Sequence, residues 1–238
     1  VVAKLQPDNA EWDAADYDYN VVRWSSEPDG NLLGIGPSVS NPLTGEIISA
    51  DVVNKLLAIK LGYNYRKLYG YTEDNDPLMQ YITNLTLHEV GHVLGLRHNF
   101  RGSYLYSPDE IHDKTITGNV LMSSVMDYDP INIAPEGEEQ GVYFSTEPGV
   151  YDKWAVKFGY TPNLSDEERK ELLQQSVKRE LTFGTDDDAM SYPGNNIDPR
   201  TKRYDMSNDP IGYAEDIVKI VDQKINELPE IFSDEEGF

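Results

Sequence analysis

The chain of 238 residues contains no cysteine. Disulfides and thiolate metal ligands are therefore excluded, and any metal must be held by His, Asp, Glu or Tyr. Cationic residues are also scarce: 20 Lys and Arg stand against 42 Asp and Glu, a formal net charge of −22. Such an excess repels phosphate backbones and anionic headgroups, so neither nucleic acid nor a membrane surface is an expected partner. No apolar run approaches the roughly 20 residues of a membrane span. The chain opens on Val1 without a basic-then-apolar leader, which reads as a soluble, mature or trimmed fragment. Histidine is the scarcest residue that could bind a metal, and three of the 4 histidines fall within LHEVGHVLGLRHNF, residues 87–100.

The pattern along the chain predicts a mixed α+β domain. Residues 19–24 and 46–50 read as strands, separated by a Gly/Pro-rich stretch at 28–37 and the turn Asn41-Pro42-Leu43-Thr44-Gly45. Apolar spacing predicts a helix over 52–69, with Val53, Leu56, Leu57 and Leu61 on one face and Gly70 as its stop. Asp76-Pro77 is an N-cap followed by a proline suited to the first turn, and Ile82, Leu85, Val90 and Val93 carry that helix to Gly95. Loop follows to about residue 150, then a short helix over 151–158 and another opened by the capping box Ser165-Asp166-Glu167-Glu168. Residues 183–210 read as loop. A last helix from Asp209-Pro210 turns Ile217, Ile220, Val221 and Ile225 inward, and the acidic tail from Ser233 frays. No internal repeat is present.

On a helix that turns about 100° per residue, His88 and His92 lie about 40° apart and one turn along, so they offer two imidazoles to one point. Glu89 sits beside that point without facing it, as suits a base acting on metal-activated water. His98 would lie roughly 120° off the same face on a continuous helix. Gly95 lets the helix break and fold back, which delivers His98 as a third ligand. Three neutral imidazoles with one open position are the arrangement of a single catalytic zinc ion, and the implied chemistry is amide hydrolysis. HExxHxxGxxH arises in a random chain of this length with a probability on the order of 10⁻⁵.

At these residues the sequence resembles the metzincin clan of zinc metalloproteases, whose extended motif is followed by a turn containing methionine. Ser123-Ser124-Val125-Met126-Asp127-Tyr128 matches that turn. The resemblance implies that Met126 forms the floor beneath the imidazoles and that Tyr128 supports the oxyanion. GLRHNF, Tyr19-Asn20-Val21-Val22-Arg23-Trp24, Thr44-Gly45-Glu46-Ile47, Tyr151-Asp152-Lys153-Trp154-Ala155, and Arg203-Tyr204-Asp205 before Asn208-Asp209-Pro210 look like the catalytic domain of large bacterial Met-zincin metallopeptidases. That likeness implies a zincin fold with a small twisted sheet and the zinc helix in an upper lobe, residues 1–98. Mostly helix and loop, with the methionine turn, would form a lower lobe, residues 99–238, the two making one catalytic domain. It also implies a zinc endopeptidase acting on peptides or proteins in an extracytoplasmic setting, with residues 46–50 as the rim that pairs with substrate.

Other features carry less. His112 has acidic neighbours and reads as an exposed loop residue, Asp186-Asp187-Asp188 offer oxygen ligands to calcium, and Asn84-Leu85-Thr86 and Asn163-Leu164-Ser165 match glycosylation acceptors. Two other functions fit the motif: a catalytically inactive, zinc-stabilised binding module, and a zinc hydrolase of a non-peptide amide or ester.

Overall fold

The computed structural model describes residues 2–27, 32–189 and 198–233. Five short strands come first: β1 (Val22–Ser25), β2 (Gly34–Ile35), β3 (Ser38–Ser40), β4 (Ile47–Ala50) and β5 (Val52–Lys55). They form a three-stranded sheet of order β1-β5-β2 and a separate β3-β4 pair. β1 runs parallel to β5 with Val22 opposite Val52, and β2 runs antiparallel with Gly34 opposite Asn54. The β3-β4 hairpin turns through Gly45, held at a φ of 75° and bonded back to Asn41 O at 2.8 Å.

The strands expected at 19–24 and 46–50 are therefore present as β1 and β4. Within the stretch expected as loop, residues 28–31 lie outside the described residues, while Gly34 and Ile35 form β2. Two residues, one of them glycine, are too few to show alternation. The helix expected from 52 starts later, because Val52 is buried in strand β5 and pairs with β1; α1 spans Leu56–Tyr69. Its buried face also differs from the expectation. Leu56 and Leu57 are 45% and 46% exposed, whereas Ala58 and Gly62 are buried and Leu61, Tyr65 and Tyr69 pack against the core.

α2 (Pro77–Val93) lies across α1. Gly62 permits the crossing, since a Cβ there would sit 2.5 Å from Leu78 Cδ1. Asp76 caps α2 by accepting from Leu78 N at 3.0 Å, and Arg66 of α1 donates to the same carboxylate. Ala58, Tyr81, Tyr143 and Phe144 fill the space between the helices and the later chain, while Ile111, Leu121, Met122, Val142, Met206 and Tyr213 form a second cluster.

After α2 the chain is mostly loop, as expected, punctuated by α3 (Pro108–Ile111) and α4 (Lys114–Thr117). Three longer helices follow, α5 (Val150–Tyr160), α6 (Asp166–Gln174) and α8 (Pro210–Lys224), with two further single turns, α7 (Asp186–Ala189), inside the stretch expected as loop, and α9 (Leu228–Ile231). Ser165 caps α6 through the expected capping box. On α8 the face toward the second cluster carries Tyr213, Ile217 and Ile220; Val221 and Ile225 are 50% and 56% exposed, contrary to the sequence expectation, because the helix touches the core along one narrow side.

His112 is likewise corrected. It is buried, because the acidic residues around it point outward from α3 while the imidazole follows Ile111 inward. Asn84 is also buried, which removes it as a glycosylation acceptor. Among the described residues no helix is long and apolar enough to cross a membrane.

Candidate metal centre

α2 carries His88 and His92 on one face, and the helix ends as the spacing required. Leu96 N bonds to Gly91 O at 3.0 Å and Gly95 N to His92 O at 2.9 Å, with Gly95 at a φ of 84°. This reversal through a left-handed glycine satisfies the last carbonyls and sends the chain back across the helix end. One ligand atom from each of His88, His92 and His98 lies within 4.8 Å of the others. His92 Nε2 and His98 Nε2 approach to 3.2 Å.

Each imidazole is turned by an oxygen on its far side. His88 Nδ1 meets Val125 O at 2.7 Å, His92 Nδ1 meets Leu96 O at 3.0 Å, and His98 Nδ1 meets Asp186 Oδ2 at 2.9 Å. These oxygens accept, so each Nδ1 donates its proton and each Nε2 keeps its lone pair for the common point. Burial, and then charge on His92, pushes His88 down to about 3, and burial lowers His92 as well. Both are neutral at pH 7, the form a metal needs. An all-imidazole donor set on fixed tautomers fits zinc.

Residues 123–128, the turn that contains Met126, pack against α2 beside these rings, with Val125 O on His88. Met126 is fully buried, and a Cβ on Gly91 would fall 2.2 Å from its Sδ, so glycine is what lets the thioether reach the helix between His88 and His92. Asp152, buried at the start of α5, organises the turn: its carboxylate accepts from Ser124 Oγ at 2.6 Å, Val125 N at 2.8 Å and Gly149 N at 2.8 Å. Because Val125 O in turn orients His88, Asp152 acts on that histidine through one residue, Val125. Tyr128 ends the turn and stands among the ligands, its ring 4.7 Å from that of His98 and 5.5 Å from that of His88.

Glu89 faces a cleft of about 460 Å³ lined by the three histidines, residues 32–37, Tyr128 and Tyr204. Two glycines admit it: a Cβ on Gly34 would lie 2.7 Å from Glu89 Oε1, and one on Gly36 would lie 2.3 Å from Glu89 O. Burial pushes the Glu89 carboxyl up to about 7, opposed by a hydrogen bond from the Gly36 backbone. The strand along the cleft is thus β2. The segment expected as its rim, residues 46–50, pairs with β3 and does not line the cleft.

Asp186, Asp187 and Asp188 do not converge on a calcium ion. Asp186 holds His98, Asp187 pairs with Arg97 at 3.2 Å, and Asp188 accepts from Thr185 N at 3.0 Å. Among the described residues, the one group of three or more His, Asp or Glu placed to hold a metal is the histidine triad. Sequence reasoning gave Asp186 another role, as a calcium ligand, and missed Asp152, Gly91, Gly34 and Gly36 as parts of the site; of these four, only Asp152 left a signal, its place in the Tyr151-Asp152-Lys153-Trp154 likeness.

A family model described as Met-zincin matches residues 71–237, and the chain belongs to that family. Membership implies a zinc metallopeptidase. Comparison with curated proteins and with solved structures gives no match.

Proposed function

We propose that the chain is a zinc-dependent endopeptidase in which residues 1–98 and 99–238 form the two walls of one catalytic domain. One observation carries the reading: three imidazoles converge through Nε2, every Nδ1 is occupied, and a carboxyl poised near neutrality stands beside them in a cleft. His88, His92 and His98 would hold the zinc, and Met126 and Gly95 fix their arrangement. Bound there, zinc would supply Lewis acidity toward a water and a substrate carbonyl.

Glu89 takes a proton from the attacking water as the water oxygen bonds to the carbonyl carbon, then delivers that proton to the amide nitrogen as the C–N bond breaks. A carboxyl held up to about 7 accepts and returns a proton with little driving-force loss at neutral pH. Tyr128, half-buried beside His88 and His98, would donate its phenol O–H to the developing oxyanion, a role its nearness to both rings supports. The Leu33 carbonyl bonds Lys55 N at 2.9 Å, so antiparallel alternation turns the Gly34 N–H and C=O away from β5, where an extended peptide can pair with them.

The test is a mixed peptide library incubated with the zinc-loaded chain, with and without chelator, and read by mass spectrometry. Cleavage abolished by chelation is expected. Glu89→Ala is expected to lower turnover by roughly 10²-fold to 10⁴-fold while zinc stays bound; full activity in that variant would remove Glu89 from the mechanism.

A further inference from the structure

Two carboxylate residues besides Glu89 line the cleft, and the hydrolytic step uses neither: Asp127, whose oxygens accept from Ser103 N at 3.1 Å and Tyr128 N at 2.8 Å, and Asp129. Asp129 lines the cleft together with His88 and Glu89, just after the turn at 123–128. Its Oδ2 accepts from Asn84 Nδ2 at 3.1 Å. Asn84 lies one turn before His88 on the same face of α2, and its Nδ2 also donates to Ser145 O at 3.1 Å, which fixes the amide and with it the carboxylate. Asp129 is therefore held at a set distance along the helix from the metal centre.

Nothing cationic among the described residues acts on Asp129; its partners are Asn84 and backbone N–H groups. Burial without a counter-charge pushes the carboxyl up to about 7. A desolvated carboxylate in that state gains most from a cation brought to it. The cleft also offers the exposed ring of Tyr204, a surface on which the alkyl stem and the charged head of a long basic side chain can lie. An acidic side chain would be repelled, and a neutral one would leave the carboxylate unpaired.

We infer that Asp129 is a specificity determinant, receiving the Arg or Lys side chain of a substrate residue next to the scissile bond. The inference rests on the peptidase reading and names its substrate class: peptides with a basic residue at that position. The overall charge of −22 acts in the same direction, drawing cationic peptides toward the cleft.

The experiment compares peptides that differ only in Arg against citrulline, which has the same shape but no charge. In the library, Arg and Lys are expected to be enriched at one position beside the cut, and the matched Arg peptide should show a kcat/KM about 5-fold to 20-fold above its citrulline counterpart. Asp129→Asn should erase the difference while neutral peptides are still cut. Equal rates for the matched pair with the unaltered chain would overturn the inference, a comparison that needs no variant to fold. A second arm measures binding of two hydroxamate-capped tripeptides, one with Arg and one with citrulline beside the hydroxamate, to the zinc-loaded Glu89→Ala chain. Tighter binding of the Arg compound by a similar factor is expected, and equal affinity would sink the role of Asp129. Preferential binding of the Arg compound without cleavage of any peptide would instead overturn the peptidase reading and leave the role of Asp129 standing.

Discussion

Neither Asp152 nor Asp186 reaches the point where the three Nε2 atoms converge, yet each sets the direction of one of the rings. Asp186 does so directly, through the 2.9 Å bond to His98 Nδ1. Burial raises its carboxyl, but the hydrogen bond from His98 outweighs that, with help from its own backbone and the Arg203 guanidinium, and holds it below the usual range. Asp186→Ala is expected to weaken zinc binding about 10-fold to 100-fold, measured by competition with a chromophoric chelator. Asp187→Ala, which breaks only an exposed pair with Arg97, should leave affinity within about 2-fold; equal losses in the two variants would show that the effect is general charge and not ring orientation. Asp205 gives a pH-dependent case. Burial pushes its carboxyl up to about 6: both oxygens are buried without a hydrogen-bond partner of good geometry, and Ser103, its own backbone and Lys202 offset only part of the cost. Its folded value exceeds the ordinary 3.8, so the folded chain binds the extra proton and stability is lost as pH rises from that value through about 6. Asp205→Asn is expected to raise Tm at pH 8 and to lose that advantage toward pH 4 in thermal unfolding. A gain largest at pH 4 would reverse the assigned sign.

At the scale of elements, the metal centre depends on one helix pressed against one turn. Gly91→Ala drives a methyl group into Met126 Sδ, and because that side chain is fully buried the helix and the turn must separate. The expected cost is about 1–3 kcal/mol of stability, with weaker zinc binding. Pairing it with Met126→Ala should recover part of that loss, a coupling visible in a double-mutant cycle; strictly additive losses would place the strain elsewhere. The zinc helix was legible because its signals are local: an N-cap at Asp76, a ligand pair at i and i+4, and a glycine that had to break the helix at Gly95. Asp186 was not, since it contacts His98 from 88 residues further along and stands in a run of three identical side chains. β2 was hidden for a different reason. Gly34 and Gly36 are there for the absence of a side chain, to let Glu89 in, and an absence leaves no hydrophobic period to read. The inward faces of α1 and α8 were misjudged where leucine, valine and isoleucine outnumber the buried positions. Tyrosines at 65, 69 and 213 take part of the packing that aliphatic residues were expected to supply.

At the scale of the molecule, the three imidazoles that converge are held from behind by the turn at 123–128 and by the segment around α7, so metal and fold should be linked. Zinc at a free concentration 100 times its Kd adds about 2.7 kcal/mol to the folded state, which in a chain of this size corresponds to roughly 5–10 °C in Tm. Chelation should lower Tm by that amount and zinc should restore it; an unchanged Tm in a chain shown to bind zinc would mean that the unfolded chain binds it equally well. The joint between residues 97–101 and 182–187 bears on this linkage. Phe100 N bonds Gly184 O at 2.7 Å, Asn99 Nδ2 bonds Thr182 O at 3.1 Å, and Asp186 closes on His98. A ribosome making this chain therefore emits all three histidines long before it emits the segment that turns the last of them. The nascent polypeptide carries every letter of its motif before it carries the carboxylate that turns the third imidazole, so the ring of His98 takes its final direction only once residue 186 has been added.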